Sequence, residues 1–124
     1  MPESKPVALI TGSARRVGAV IARSLHAAGY DVALHHRRAA SEASALQAAL
    51  ERARPGSTLV LQAELSEFDR LPELIAQTIG RFGRLDALVN NASAFYPTPI
   101  GVATPAMWDD LFAAHARAPF FLSQ

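Results

Sequence analysis

Cysteine is absent from the 124 residues. That excludes disulfides, thiolate metal sites and cysteine nucleophiles, and it is compatible with a cytoplasmic setting. No excess of either charge is present: 12 basic against 11 acidic residues leave a formal net charge of +1. No bulk electrostatic pull toward nucleic acid or a membrane surface follows from that balance. No apolar run approaches the ~20 residues that a membrane-crossing helix needs. The opening Met1-Pro2-Glu3-Ser4-Lys5-Pro6 lacks the basic and apolar segments of a secretory signal. His35 and His36 have no other ligand types at metal-site spacing, so no metal centre is expected.

Half of the residues are apolar, and the length suits one domain. Val7 to Thr11 is a short apolar run that reads as a strand buried on both faces. Gly12 to Gly18 is a turn feeding a helix whose apolar face is expected to carry Val17, Val20, Ile21, Ser24, Leu25 and Ala28. Gly29 stands where a glycine would stop that helix. Asp31 to His36 is the second strand. A second helix is expected from about Ser41 to Arg54, ended by Pro55-Gly56, and Thr58 to Gln62 is strand three. Ser66-Glu67-Phe68-Asp69 resembles a capping box opening a third helix that buries Leu71, Leu74, Ile75, Ile79 and Phe82. Gly83 closes it. Ala87 to Asn90 is strand four, and Thr104-Pro105 is an N-cap and first helical residue for a fourth helix.

Apolar strands alternating with amphipathic helices predict an α/β fold, a doubly wound parallel sheet of Rossmann type with strand order 3-2-1-4. The fourth helix is apolar, with Trp108, Phe112, Phe120 and Phe121, and the chain stops without a stop signal. The expectation is that residues continue past Gln124. Strand four would otherwise be an open edge and the last helix a bare apolar face, favouring pairing with another chain.

Three stretches carry chemistry. Thr11-Gly12-Ser13-Ala14-Arg15-Arg16-Val17-Gly18 joins a strand to a helix. Glycine allows close backbone approach, and a helix start offers free N–H groups and a positive dipole to a pyrophosphate. Leu34-His35-His36-Arg37-Arg38 ends strand two without an acid. An acid there would accept hydrogen bonds from an adenosine ribose, whereas guanidinium forks match a 2′-phosphate. Asn90-Asn91-Ala92-Ser93 ends strand four at the expected switch point, about 80 residues after Gly12.

Together these motifs resemble the short-chain dehydrogenase/reductase family. The glycine turn matches its Thr-Gly-three residues-Gly-x-Gly pattern, except that Arg16 replaces the middle glycine. Pteridine reductases carry a basic residue there, and Ser93-Ala94-Phe95-Tyr96-Pro97-Thr98-Pro99 is similar to their continuation. The resemblance implies NADPH as cofactor. It would be held by Gly12, Ser13, Arg15, Arg16, Val17, Gly18, His36, Arg37, Arg38, Glu64, Leu65, Asn91, Ala92 and Ser93. Glu64 and Leu65 fall where relatives place an Asp-Leu or Asp-Val adenine contact. Arg16, Ser93 and Phe95 would meet the substrate, a pterin whose flat ring gains burial and offset stacking from Phe95.

Relatives supply their proton through a Tyr-three residues-Lys pair. The tyrosines here are Tyr30 and Tyr96 and the lysine is Lys5, none so spaced. No catalytic residue is therefore assigned, and residues 1–124 are expected to be the NADPH-binding portion, stopping before that segment. His115 stands where many relatives have Asn and is not assigned a catalytic role. The expected function is NADPH-dependent pterin reduction by a homo-oligomer (full-length relatives are mostly tetramers). The alternatives are reduction of another carbonyl, such as a 3-oxoacyl thioester or a sugar, or a non-catalytic nucleotide-binding fragment.

Overall fold

The computed structural model describes residues 5–65, 67, 70–92, 101 and 104–123. In chain order these form β1 (Val7–Ile10), α1 (Arg16–Ala27), β2 (Asp31–His36), α2 (Ala40–Ala53), β3 (Thr58–Gln62), α3 (Leu71–Phe82), β4 (Ala87–Val89), α4 (Pro105–Phe112), a π-helical turn (Ala113–Arg117) and α5 (Ala118–Leu122). The strands make one parallel sheet in the order β3-β2-β1-β4, as expected from the alternation. The fold is the Rossmann-like doubly wound α/β arrangement.

Strand alternation sorts the core onto two faces. Ala8 and Ile10 of β1 and Val32 and Leu34 of β2 pack with Ala22, Leu46 and Leu50 of α1 and α2. Leu9, Ala33 and Leu61 face the other way, against Leu71 and Leu74 of α3 and Ala118 and Leu122 of α5. Both faces of β1 and of residues 32–34 in β2 are therefore covered, which is why those stretches run apolar without interruption. Each fully buried Leu or Ile contributes roughly 1.5–3 kcal/mol against exposure.

The helix faces differ from the sequence expectation in two places. On α1 the buried residues are Gly18, Ala22 and His26, while Val17 and Val20 are 64 % and 62 % exposed. The helix starts in contact with the turn before it, so its sheet-facing stripe, at four-residue spacing, begins with the small residues Gly18 and Ala22 before reaching His26. On α3, Thr78 is buried and Ile79 is 44 % exposed. The Thr78 hydroxyl donates to the Leu74 carbonyl at 2.7 Å, so it needs no water. α3 begins at Leu71 with Arg70 as an N-cap that makes no side-chain cap bond. The expected capping residues Ser66, Phe68 and Asp69 lie outside the described residues.

Thr104 does cap α4: its hydroxyl accepts the Met107 N–H at 3.2 Å, with Pro105 following. The expected single fourth helix is interrupted by the π turn, which the Ala118 N–H closes onto the Ala113 carbonyl. Pro119 is the local cause, because it has no N–H to give the His115 carbonyl and its ring crowds that turn.

Candidate functional site

Parallel strands deliver their carboxyl ends to one edge of the sheet, and the order reverses between β1 and β4. A crevice opens there. Thr11 stitches its floor. The Thr11 hydroxyl accepts the N–H groups of Asn91 at 3.1 Å and Ala92 at 3.0 Å, and it donates to the Val89 carbonyl at 3.4 Å. One hydroxyl thus ties the end of β4 to the turn after β1.

The two outer glycines are required by space. Gly12 has φ 64, and a Cβ on it would lie 2.8 Å from Ala92 Cα. A Cβ on Gly18 would lie 2.2 Å from the Gly12 carbonyl oxygen and 2.6 Å from Asn91 Nδ2. Asn91 Nδ2 donates to that same carbonyl at 3.1 Å. Turn, helix start and strand end therefore close on one another only if residues 12 and 18 lack side chains.

Arg16 occupies the middle position of the pattern with φ 53, the sole positive φ of a non-glycine among the described residues. A non-glycine held there costs about 1 kcal/mol or more. α1 has no side-chain cap and no acid in its first turn. Its leading N–H groups have no partner within the helix and carry the positive end of the dipole.

Behind the turn stands His35, 2 % exposed. The Gly12 N–H donates to His35 Nδ1 at 3.0 Å, and His35 Nε2 lies 2.9 Å from the Ala63 carbonyl oxygen. Nε2 must then carry the proton and Nδ1 must be bare, which makes the ring neutral. Burial holds the ring below the ordinary histidine range, outweighing the opposing Ala63 carbonyl; His36 adds to the depression and Glu64 opposes it. One imidazole links the turn after β1, the end of β2 and the end of β3.

These elements enclose a cleft of about 550 Å³. Of the residues expected to hold a cofactor, Gly12, Arg15, Arg16, Val17 and Gly18 line it from the turn and α1. His36, Arg37 and Arg38 line it from the end of β2, Glu64 and Leu65 from the end of β3, and Asn91 and Ala92 from the end of β4. Ser13, also expected there, is fully buried and does not line the cleft. Its hydroxyl accepts the His35 N–H at 3.0 Å and donates to the His35 carbonyl at 3.4 Å, so it serves the fold. Ser93 and Phe95 lie outside the described residues.

Unassigned in the sequence were the supporting Thr11 and the lining residues Ala14, His35, Ala39, Ala63, Asp110, Ala113 and Ala114. Thr11 had a signal, since it opens the glycine motif. Ala14 lies within that motif; the residues outside it had none, because nothing local says which side of a strand, loop or long helix meets a cleft.

A phosphorylated dinucleotide suits this site on three grounds. The helix start is uncapped by any side chain. Two side-chain-free positions let backbone approach a ligand. His36 is 7 % exposed and its Nδ1 is buried without a hydrogen-bond partner, although the residue lines the cleft. Around this stand the cations of Arg16, Arg37 and Arg38. The 3.8 Å approach of Arg15 to Glu42 is between exposed side chains and holds little.

A doubly wound sheet with a glycine turn at its switch point defines a dinucleotide-binding class. Residues 6–124 match the family model for short chain dehydrogenases, and the chain belongs to that family. It is 40% identical to Pteridine reductase 1 of Leishmania tarentolae over 148 aligned positions, 94% of this chain and 51% of that protein. It is also similar to a hydroxynaphthalene reductase of Aspergillus fumigatus, 31% over all of this chain and 45% of that one. A 3-oxoacyl-[acyl-carrier-protein] reductase of Staphylococcus epidermidis is 29% identical over 91% of this chain and 46% of its own. The chain spans about half the length of these relatives.

Proposed function

We propose that the protein reduces a pterin, with NADPH as the hydride donor. The observation that carries the cofactor reading is the pair Arg37 and Arg38 on the cleft wall, at a strand end that bears no acid. NADPH, when bound, would supply the hydride. The chain's own residues do the holding. The uncapped start of α1 and Arg16 meet the pyrophosphate, and the guanidinium groups at the end of β2 meet the 2′-phosphate. Gly12, Asn91 and Ala92 keep the floor flat enough for backbone contact.

The pterin reading rests on the similarity to a pteridine reductase and on the stretch from Ser93 to Pro99. Phe95 would stack on the planar ring and hold it in register. The exposed aromatics support self-association: Trp108 stacks on Phe112 at 4.4 Å, and Phe120 meets Phe121 edge-on at 5.2 Å.

Two measurements test this. R38A should weaken NADPH binding about 10- to 100-fold, the worth of a hydrogen bond to a charged group, and leave NADH unchanged. NADPH oxidation is then compared with dihydrobiopterin and with a 3-oxoacyl thioester, in wild type and F95A. Turnover of the pterin that F95A abolishes is the expected result. No NADPH affinity in a folded sample overturns the cofactor reading, and preferred turnover of the thioester overturns the pterin.

A further inference from the structure

The two arginines at the end of β2 are not equivalent. Arg37 is held by main chain and side chain. Its Nε–H donates to Glu64 Oε2 at 2.5 Å, and its carbonyl accepts from Gln62 Nε2 at 3.0 Å. The Gln62 carbonyl in turn accepts from Arg70 Nη2 at 3.1 Å, and the Ala63 N–H donates to the His36 carbonyl at 3.2 Å. Residues at the end of β3 therefore clamp the end of β2. Arg38, next along the chain, makes no hydrogen bond or ion pair among the described residues.

Glu64 engages only the Nε edge of Arg37. The two terminal amino groups, the fork that meets phosphate oxygens in pairs, have no protein partner among the described residues. Arg37, Arg38 and Glu64 all line the cleft. A guanidinium already fixed at one edge loses less rotamer freedom when a phosphate arrives. The carboxylate charge, by contrast, repels that phosphate. Orientation and repulsion have opposite signs, so experiment can separate them.

We propose that Glu64 is a positioning residue for cofactor choice: by holding Arg37 through Nε, it points the free fork of that guanidinium at the 2′-phosphate of NADPH. This rests on the NADPH reading above. Glutamine at position 64 can still accept the Nε–H through its amide oxygen, without the negative charge. Alanine can do neither.

The test is titration calorimetry of the full-length protein with NADPH, NADH and 2′,5′-ADP, on wild type, E64A, E64Q, R37A and the double variant R37A/E64A. E64A should weaken NADPH and 2′,5′-ADP about three- to tenfold more than it weakens NADH, the cost of immobilising one long side chain, since any adenine contact of Glu64 is common to both cofactors. Retained NADH binding also reports that the variant is folded. E64Q should bind NADPH as well as wild type or better. The double variant should match R37A alone. Tighter or unchanged NADPH binding in E64A overturns the proposal, as does equal weakening of NADPH and NADH. A Glu64 effect that persists without Arg37 does so too. If wild type itself shows no preference for NADPH over NADH, the cofactor reading falls and this proposal with it. A preference in wild type with an inert E64A removes only the proposal.

Discussion

Replacing His35 by leucine should destabilise the protein by about 2–4 kcal/mol, although the side chains are similar in size. The Ala63 carbonyl loses its donor where no water reaches, since Ala63 is fully buried. That costs roughly 1–3 kcal/mol. The Gly12 N–H is only partly buried, so losing its acceptor adds about 0.5–1.5 kcal/mol. Urea unfolding at pH 8, followed by far-ultraviolet circular dichroism, measures the difference. A pH signature accompanies it. The folded state holds His35 and His26 below the ordinary value of 6.5, His26 through burial and then Arg54. The unfolded chain therefore takes up protons that the folded chain refuses. The contribution of these rings is complete above about pH 6.5 and is lost as the pH falls toward their folded values. Protonated Nδ1 would also face the Gly12 N–H, donor against donor. H35L should thus lose less stability between pH 8 and pH 5.5 than wild type does, with His26 keeping the remainder. An H35L variant within about 0.5 kcal/mol of wild type at pH 8 refutes the linking role. An identical acid loss in both refutes the titration argument.

Two other substitutions probe the turn. G18A places a Cβ 2.2 Å from a backbone oxygen that cannot swing aside, so the start of α1 must shift. Overpacking of about 1–3 kcal/mol outweighs the ~1 kcal/mol of helix propensity gained. A net loss near 1 kcal/mol and at least tenfold weaker NADPH binding are expected; wild-type affinity would contradict the closure described. R16G relieves a positive φ but adds glycine's unfolded freedom, so stability should stay within about 1 kcal/mol. NADPH affinity should nevertheless fall. A thermal melt that drops as far as for G18A would mean the Arg16 side chain holds the fold rather than a ligand.

The legible parts of the fold were those encoded within a few consecutive residues. Thr104-Pro105 announces a helix start and is one. The uninterrupted apolar run of β1 announces a strand covered on both faces and is one. Chain crossover handedness then leaves few ways to order four strands, and the observed order is the expected one. Amphipathic periodicity located the helices but misplaced their buried stripes, at Val17, Val20 and Ile79. A pattern of apolar residues says that a face exists; how closely the helix approaches the sheet decides which side chains fit beneath it. On α1 the contact between Gly18 and the Gly12 carbonyl sets that approach, and at the near end only Gly18 and Ala22 fit beneath it.

The same division runs through the site. The glycine turn, the arginines after β2 and the Asn-Asn-Ala after β4 could be read as local motifs, because backbone conformation and charge are properties of short segments. Ser13 facing inward, His35 bridging three strand ends, and Arg37 paired with Glu64 could not. Each is a contact between segments more than 20 residues apart along the chain. Such contacts exist only after the sheet has brought strand ends together, and a hydrogen bond or a steric limit acts over a few ångströms of space, whatever the distance along the chain.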